Sequence, residues 1–243
     1  MVKYEFINKS LFFPEEGILA IGDLHIGYDY MLKQSGILVP ERQIDEILSN
    51  LKSIIKEAKN QGVLKKIVFL GDIKHSFGFE FEEMSELRKI FDFLKKEVTE
   101  KNIILIKGNH DTMDYTKDKT MKPFHIDGEI FFTHGHENFL EMFDPKIKFV
   151  VSGHLHPSVS ITEKPGVKKE TFKCFLVGPH EKKTFIVLPS FLGFVEGTLI
   201  NDYEEDYMES FSIIPKKSMM KFHVNVIGED GTFDFGAIKD LQS

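Results

Sequence analysis

Apolar residues recur along the first half of the chain in two alternating rhythms. Segments 18–22, 66–70 and 103–106 are short continuous apolar runs of strand length. Between the first two, Ile44, Ile47, Leu48, Leu51, Ile54, Ile55 and Ala58 return at helical spacing, with Pro40 suited to the first turn and Gly62 to the stop. Phe81, Met84, Leu87, Ile90, Phe91, Leu94 and Val98 trace a second amphipathic helix before the third run. This strand–loop–helix order predicts an α/β protein with parallel strands. From about Pro123 the rhythm changes. Strand-sized segments at 124–126, 130–133, 149–152, 159–162, 172–177 and 184–188 follow one another with little helix, which predicts a second, more antiparallel sheet. Near the C-terminus, 222–226 alternates, 228–231 supplies turn residues and 232–235 returns, a β-hairpin signal. The stretch Asp202 to Glu209 is acidic and reads as a solvated connector. The expected organisation is one domain over 1–201. Residues 202–243 add the connector and a hairpin, packed on that domain or at a subunit interface.

Composition narrows the class. The chain has 243 residues, 42% of them apolar and 28% charged, enough for a full core in an ordinary globular protein. Its apolar runs are strand-sized, and Phe12 and Phe13 follow polar residues rather than sitting in a signal-type core, so no membrane span and a cytoplasmic location are expected. The single cysteine, Cys174, excludes an internal disulfide and reads as a buried, inert thiol. A net charge of −7 argues against a generally basic surface, although lysines cluster at 65–66, 117–122, 164–169 and 182–183. Arginine is limited to Arg42 and Arg88, so bidentate phosphate clamps are nearly absent.

The chemistry lies where the apolar runs end. Asp23-Leu-His25, Gly71-Asp72, Gly108-Asn109-His110-Asp111, His134-Gly-His136 and Gly153-His154-Leu-His156 each follow such a run. In α/β sheets, ligands gather at the carboxyl ends of strands. Five clusters of Asp, Asn and His there suit two adjacent divalent cations, the equipment for phosphate ester hydrolysis. Asp72 is the natural bridge, giving one oxygen to each ion. Asp23 with His25, and later His154 with His156, offer paired ligands, while Asn109 adds an oxygen and His134 a nitrogen. Mixed N/O ligation favours Mn, with Zn, Ni, Fe or Mg as alternatives.

In order and spacing, these clusters resemble the D-x-H, GD, GNH[DE], histidine–glycine and GHxH motifs of the calcineurin-like metallophosphoesterase superfamily. The likeness spans roughly 18–157. It implies a four-layer α-β-β-α sandwich of two mixed sheets, with a dinuclear metal site at the strand ends. By the family's pattern Asp23, His25, Asp72 and His156 hold one metal, and Asp72, Asn109, His134 and His154 the other. A water between the metals would attack as hydroxide. His110 would contact the scissile phosphate or protonate the leaving oxygen, with Asp111 orienting it and keeping it charged.

Within the superfamily the chain departs from the serine/threonine phosphatases, carrying GDIKHS and GNHD where they carry GDxxDRG and GNHE. GDIKHS is similar to the GDxxHS segment of SbcD/Mre-type repair nucleases. That likeness places His75 near the substrate phosphates and makes Lys74 a candidate substrate contact. Residues 188–201, LPSFLGFVEGTLIN, resemble a later segment of the small archaeal and bacterial ICC-like, ligase-associated phosphoesterases. The resulting expectation is a metal-dependent nuclease acting on single strands or ends of DNA or RNA. Phe77 and Phe79 are candidate base-stacking residues, although core roles are the commoner use of Phe. The alternatives are a phosphodiesterase for small substrates such as cyclic nucleotides, and a binding module that has lost catalysis. Nucleic acid, a repair helicase or ligase, and a second copy of the chain are the partners this reading implies.

Overall fold

The three apolar runs of the first half become β3 (Ile18–Ile21), β4 (Lys66–Phe69) and β5 (Ile103–Leu105), parallel neighbours with Ile18 opposite Lys66 and Ile67 opposite Ile103. The computed structural model describes residues 2–38, 43–75, 81–111, 120–161, 170–193, 197–201 and 212–241. Pro40, Phe77, Phe79, the lysines at 117, 119, 164, 168 and 169, and the acidic stretch 202–209 lie outside them.

An N-terminal hairpin, β1 (Glu5–Ile7) and β2 (Ser10–Phe13), completes a five-stranded sheet in the order β1-β2-β3-β4-β5. The apolar pattern did not announce it, because Asn8, Lys9 and Ser10 break its apolar residues into Phe6-Ile7 and Leu11 to Phe13. Its tight turn is made by Asn8 at φ 52, a conformation that asparagine tolerates. Parallel strands covered on both faces become continuous apolar runs, and β3 is buried at every position.

Three helices accompany this sheet: α1 (Tyr28–Gln34), α2 (Gln43–Gln61) and α3 (Phe81–Leu94). The apolar stripe of α2, Ile47, Leu51, Ile54, Ile55 and Ala58, packs with Leu87, Ile90, Phe91 and Leu94 of α3 over Leu19, Ile21, Ile67 and Phe69. Each large side chain buried this way contributes about 1.5–3 kcal/mol. Val98 is buried, but in the turns beyond α3. The short α1 was not expected: seven residues give too few turns for a periodic stripe.

The second half forms β6 (Phe124–Asp127), β7 (Ile130–Thr133), β8 (Phe149–Ser152), β9 (Pro157–Ile161), β10 (Glu170–His180), β11 (Lys183–Val187), β12 (Thr198–Leu199), β13 (His223–Ile227) and β14 (Thr232–Ala237). The order is β12-β9-β10-β11-β8-β7-β6, with the β13–β14 hairpin paired to β10. The sheet is less antiparallel than its sequence implied, since β7, β8 and β11 are parallel neighbours. The crossover from β7 to β8 holds only a 3-10 turn, Leu140–Phe143, so no helical stripe signals it.

The two sheets face each other across Leu11, Phe13, Ile18, Ala20, Val68, Leu70, Ile130, Phe132, Val151, Phe175, Ile186 and Leu188. The outer face of the second sheet is covered by Met142, Ile213, Ile214, Ile238 and Met219 of the one-turn helix α4 (Lys216–Met219). The fourth layer is therefore built of turns and one short helix among the described residues. No helix described is long and apolar enough to cross a membrane.

Candidate metal centre

Five parallel strands each hand over to one polar cluster: β3 to Asp23 and His25, β4 to Asp72, β5 to Asn109–Asp111, β7 to His134 and His136, and β8 to His154 and His156. The handover bends the backbone sharply. His25, Asp72, His154 and His156 all have φ between 44° and 66°. The other described non-glycine residues with positive φ, Asn8, Glu181 and Lys182, lie in turns between hairpin strands. Left-handed backbone at a histidine or aspartate persists only where surrounding structure holds it, and such strain gathers at functional sites. Two glycines permit the close approach. A Cβ on Gly108 would collide with the Asp72 carboxylate, and one on Gly153 with that of Asp23.

The side chains meet in two groups, Asp23–His25–His156 and Asp72–His134–His154, with candidate ligand atoms within 4.8 Å of one another in each. His25 Nε2 stands 3.3 Å from His156 Nε2, and Asp23 Oδ1 is 3.3 Å from His156 Nε2. In the second group His134 Nε2 lies 3.1 Å from His154 Nδ1 and 3.0 Å from Asn109 Oδ1. Asp72 joins the two: its Oδ2 is 3.5 Å from His134 Nε2 and 4.0 Å from His25 Nε2. The sequence reading gave one oxygen to each ion. Here Oδ1 accepts the His110 backbone N–H at 2.9 Å, and Oδ2 faces both groups.

The donor chemistry fits divalent cations. His134 Nδ1 lies 2.9 Å from the Leu70 carbonyl, which sets that nitrogen as the donor and turns Nε2 toward Asn109 Oδ1, Asp72 Oδ2 and His154 Nδ1. An imidazole lone pair, two oxygens and a second ring nitrogen aimed at one another repel, unless a proton or a cation sits among them. The titration behaviour agrees. Burial opposes a charge on His134, but its hydrogen bond to Asp72 and the Asp23 charge carry it up to about 9. Burial and His156 push His25 down to about 3, and burial and His134 push His154 down to about 4, leaving both neutral as ligands need. Burial also opposes ionisation of Asp23, yet His156, His134 and His25 hold its carboxyl well below the usual range.

His110 stands beside this centre, its Nε2 4.0 Å from Asp72 Oδ2 and its Nδ1 3.1 Å from the His75 carbonyl. Asp111 accepts from the backbone N–H of Ile73 at 3.1 Å and of Gly108 at 2.9 Å, bracing the β4 and β5 loops against each other. Burial pushes its carboxyl up to about 6, with the Gly108 N–H opposing. The His75 ring stacks on His110, with centroids 5.6 Å apart, and takes the edge of Tyr28 at 4.8 Å. Lys74 is the substrate contact that the sequence predicts. It is buried, and its Nζ lies 3.1 Å from the equally buried Glu83 carboxylate.

Several supporting residues carried no signal in the sequence. Gln43 of α2 donates to the His25 carbonyl at 2.8 Å and accepts the Gly27 N–H at 3.0 Å, fixing the loop after β3. The loop after β11 closes on the same place, where the Phe191 N–H donates to the Asp23 carbonyl at 2.9 Å. Lys173 Nζ holds that loop through the Ser190 and Leu192 carbonyls at 3.0 and 2.6 Å. Asn201, at the end of the LPSF segment, ties Ser160 to the Leu241 carbonyl. A glutamine, a lysine or an asparagine of this kind looks like any surface residue until the chain is folded.

Comparison with known proteins agrees with this geometry. Residues 17–158 match the family model for calcineurin-like phosphoesterases. Among solved structures, the nuclease MPE of Pseudomonas putida superposes with a TM-score of 0.61 over 96% of this chain and 100% of its own, at 17% identity, a likeness of fold. No curated protein matches in sequence. With the family model covering more than half of the chain, and two candidate metal clusters at the strand ends it matches, the chain belongs to the calcineurin-like phosphoesterase family.

Proposed function

We propose that this protein is a dinuclear-metal phosphodiesterase acting as a nuclease on single strands or ends of DNA or RNA. The observation that carries it is two donor clusters sharing Asp72 Oδ2, with His110 Nε2 4.0 Å from that oxygen. Asp23, His25, Asp72 and His156 would hold one cation, and Asp72, Asn109, His134 and His154 the other. When bound, such cations lower the pKa of water and neutralise charge on the phosphoryl oxygens. The chain's own residues do the rest. His110 donates from Nδ1 to the His75 carbonyl, and this leaves Nε2 to face the phosphate and serve the leaving oxygen. Asp111 holds the two loops that present Asp72 and His110.

The nuclease assignment rests on the GDIKHS segment, which stacks His75 on His110, and on a fold shared with a protein described as a nuclease. It aligns the chain with the SbcD/Mre-related and ICC-like members of the family. Hydrolysis of small phosphodiesters is the second reading, favoured by the net charge of −7. A grid of Mn, Mg, Zn and Ni against labelled DNA, RNA, cyclic nucleotides and bis-p-nitrophenyl phosphate separates the two. Salt-sensitive oligonucleotide cleavage, strongest with Mn, is expected. Activity confined to the small esters would defeat the nuclease reading.

A further inference from the structure

The loop after β11 reaches the centre through its backbone. It runs along the end of β3 so closely that a Cβ on Gly22 would lie 2.7 Å from the Pro189 carbonyl oxygen. One residue on, the Phe191 N–H donates to the Asp23 carbonyl at 2.9 Å. The loop begins where the Leu188 N–H donates to the Ser152 carbonyl at 2.7 Å, at the end of the strand that leads to His154. Ser190, Phe191 and Leu192 are all buried.

Three successive carbonyls of this loop accept from two ammonium groups. Lys173 Nζ, on β10, donates to Ser190 at 3.0 Å and to Leu192 at 2.6 Å. Lys9 Nζ, in the turn between β1 and β2, donates to Phe191 at 3.2 Å. One lysine thus comes from each sheet. The Glu46 carboxylate, on α2, packs on the next residue, where a Cβ on Gly193 would lie 2.5 Å from its Oε1.

The Ser190 carbonyl and the Phe191 N–H belong to one planar peptide and point opposite ways. Lys173 holds one end of that unit and Asp23 the other. A charge on the carbonyl also polarises the peptide and strengthens its N–H as a donor. We propose that Lys173, assisted by Lys9, is a positioning residue for the cation held by Asp23, His25 and His156. Through the 190–191 peptide it fixes the backbone that carries Asp23, and so sets the affinity of that cation, although it is not among the ligand atoms. The cation beside His134 has a brace of its own, the Leu70 carbonyl 2.9 Å from His134 Nδ1, and is expected to depend far less on the clamp. The proposal rests on the dinuclear reading.

Manganese binding tests this without any substrate. Calorimetry at one fixed pH resolves the two binding steps, and anomalous diffraction at limiting Mn shows which position each step fills. In Lys173→Met one step is expected to weaken about tenfold, with the peak beside Asp23, His25 and His156 losing occupancy and the peak beside His134 keeping it. Lys173→Arg, which retains charge and donors, is expected to recover most of that loss. Lys9→Met should show a smaller fall at the same step. Circular dichroism confirms folded variants, and if Lys173→Met does not fold, Lys9→Met carries the test. Equal weakening of both steps would mean a merely structural role and overturn the proposal. Unchanged binding, or tighter binding once the ammonium is gone, would overturn it as well. A natural chain that takes fewer than two Mn ions defeats the dinuclear reading itself, and the clamp falls with it. Two ions bound without the selective effect overturn the clamp alone.

Discussion

At the scale of single residues, His110 and His134 are placed differently although both border Asp72. His110 Nε2 stands 4.0 Å from the shared oxygen and the side chain is partly exposed, whereas His134 is buried against it at 3.5 Å. His110→Ala is therefore expected to keep its metal content while turnover falls by about 10²–10⁴-fold. Unchanged turnover at normal metal content would remove His110 from the reaction. His134 makes a pH prediction. In the metal-free protein it is carried up to about 9 from 6.5, so at neutral pH it holds a proton that a bound cation must displace. That raised value stabilises the metal-free fold fully below 6.5 and is lost as pH rises through about 9. Metal affinity moves the opposite way, rising about tenfold per pH unit up to that point. His25 and His154, already neutral at pH 7, add no slope. Titration calorimetry at two pH values a unit apart reads this directly, and a flat affinity would count against it.

At the scale of elements, the parallel strands were legible because their burial on both faces leaves continuous apolar runs, each stopping at a chemistry-bearing cluster. Helices α2 and α3 were legible through their stripes. Polar residues 8–10 broke up the β1–β2 hairpin, α1 was too short to show a period, and the parallel β7–β8 crossover lacked the helix that would mark it. Lys74 shows the limit for a site residue. Beside His75 in sequence it reads as a phosphate contact, yet the loop after β4 turns it inward to Glu83 of α3. Removing one partner of a buried ion pair costs about 3–5 kcal/mol. Lys74→Ala is thus expected to lower Tm by on the order of 10 °C. Lys74→Met with Glu83→Leu should recover much of that loss. A stable Lys74→Ala with a raised KM would instead restore the substrate-contact role.

At the scale of the whole molecule, the two sheets share one core, and the site draws on both: Asp23, His25, Asp72 and Asn109 follow strands of the first, His134, His154 and His156 strands of the second. The centre therefore exists only when the sheets are packed face to face. The C-terminal hairpin belongs to the same body, since β13 pairs with β10 from Cys174 to Val177. A cation held between the halves binds the folded state alone, so it adds stability by mass action. Anomalous diffraction from crystals of the Mn-loaded protein tests the central claim most directly. Two peaks are predicted about 3.5–4 Å apart, one among Asp23, His25 and His156 and the other among Asp72, His134 and His154, with Asp72 Oδ2 between them. A single peak, or peaks away from Asp72, would contradict the dinuclear centre.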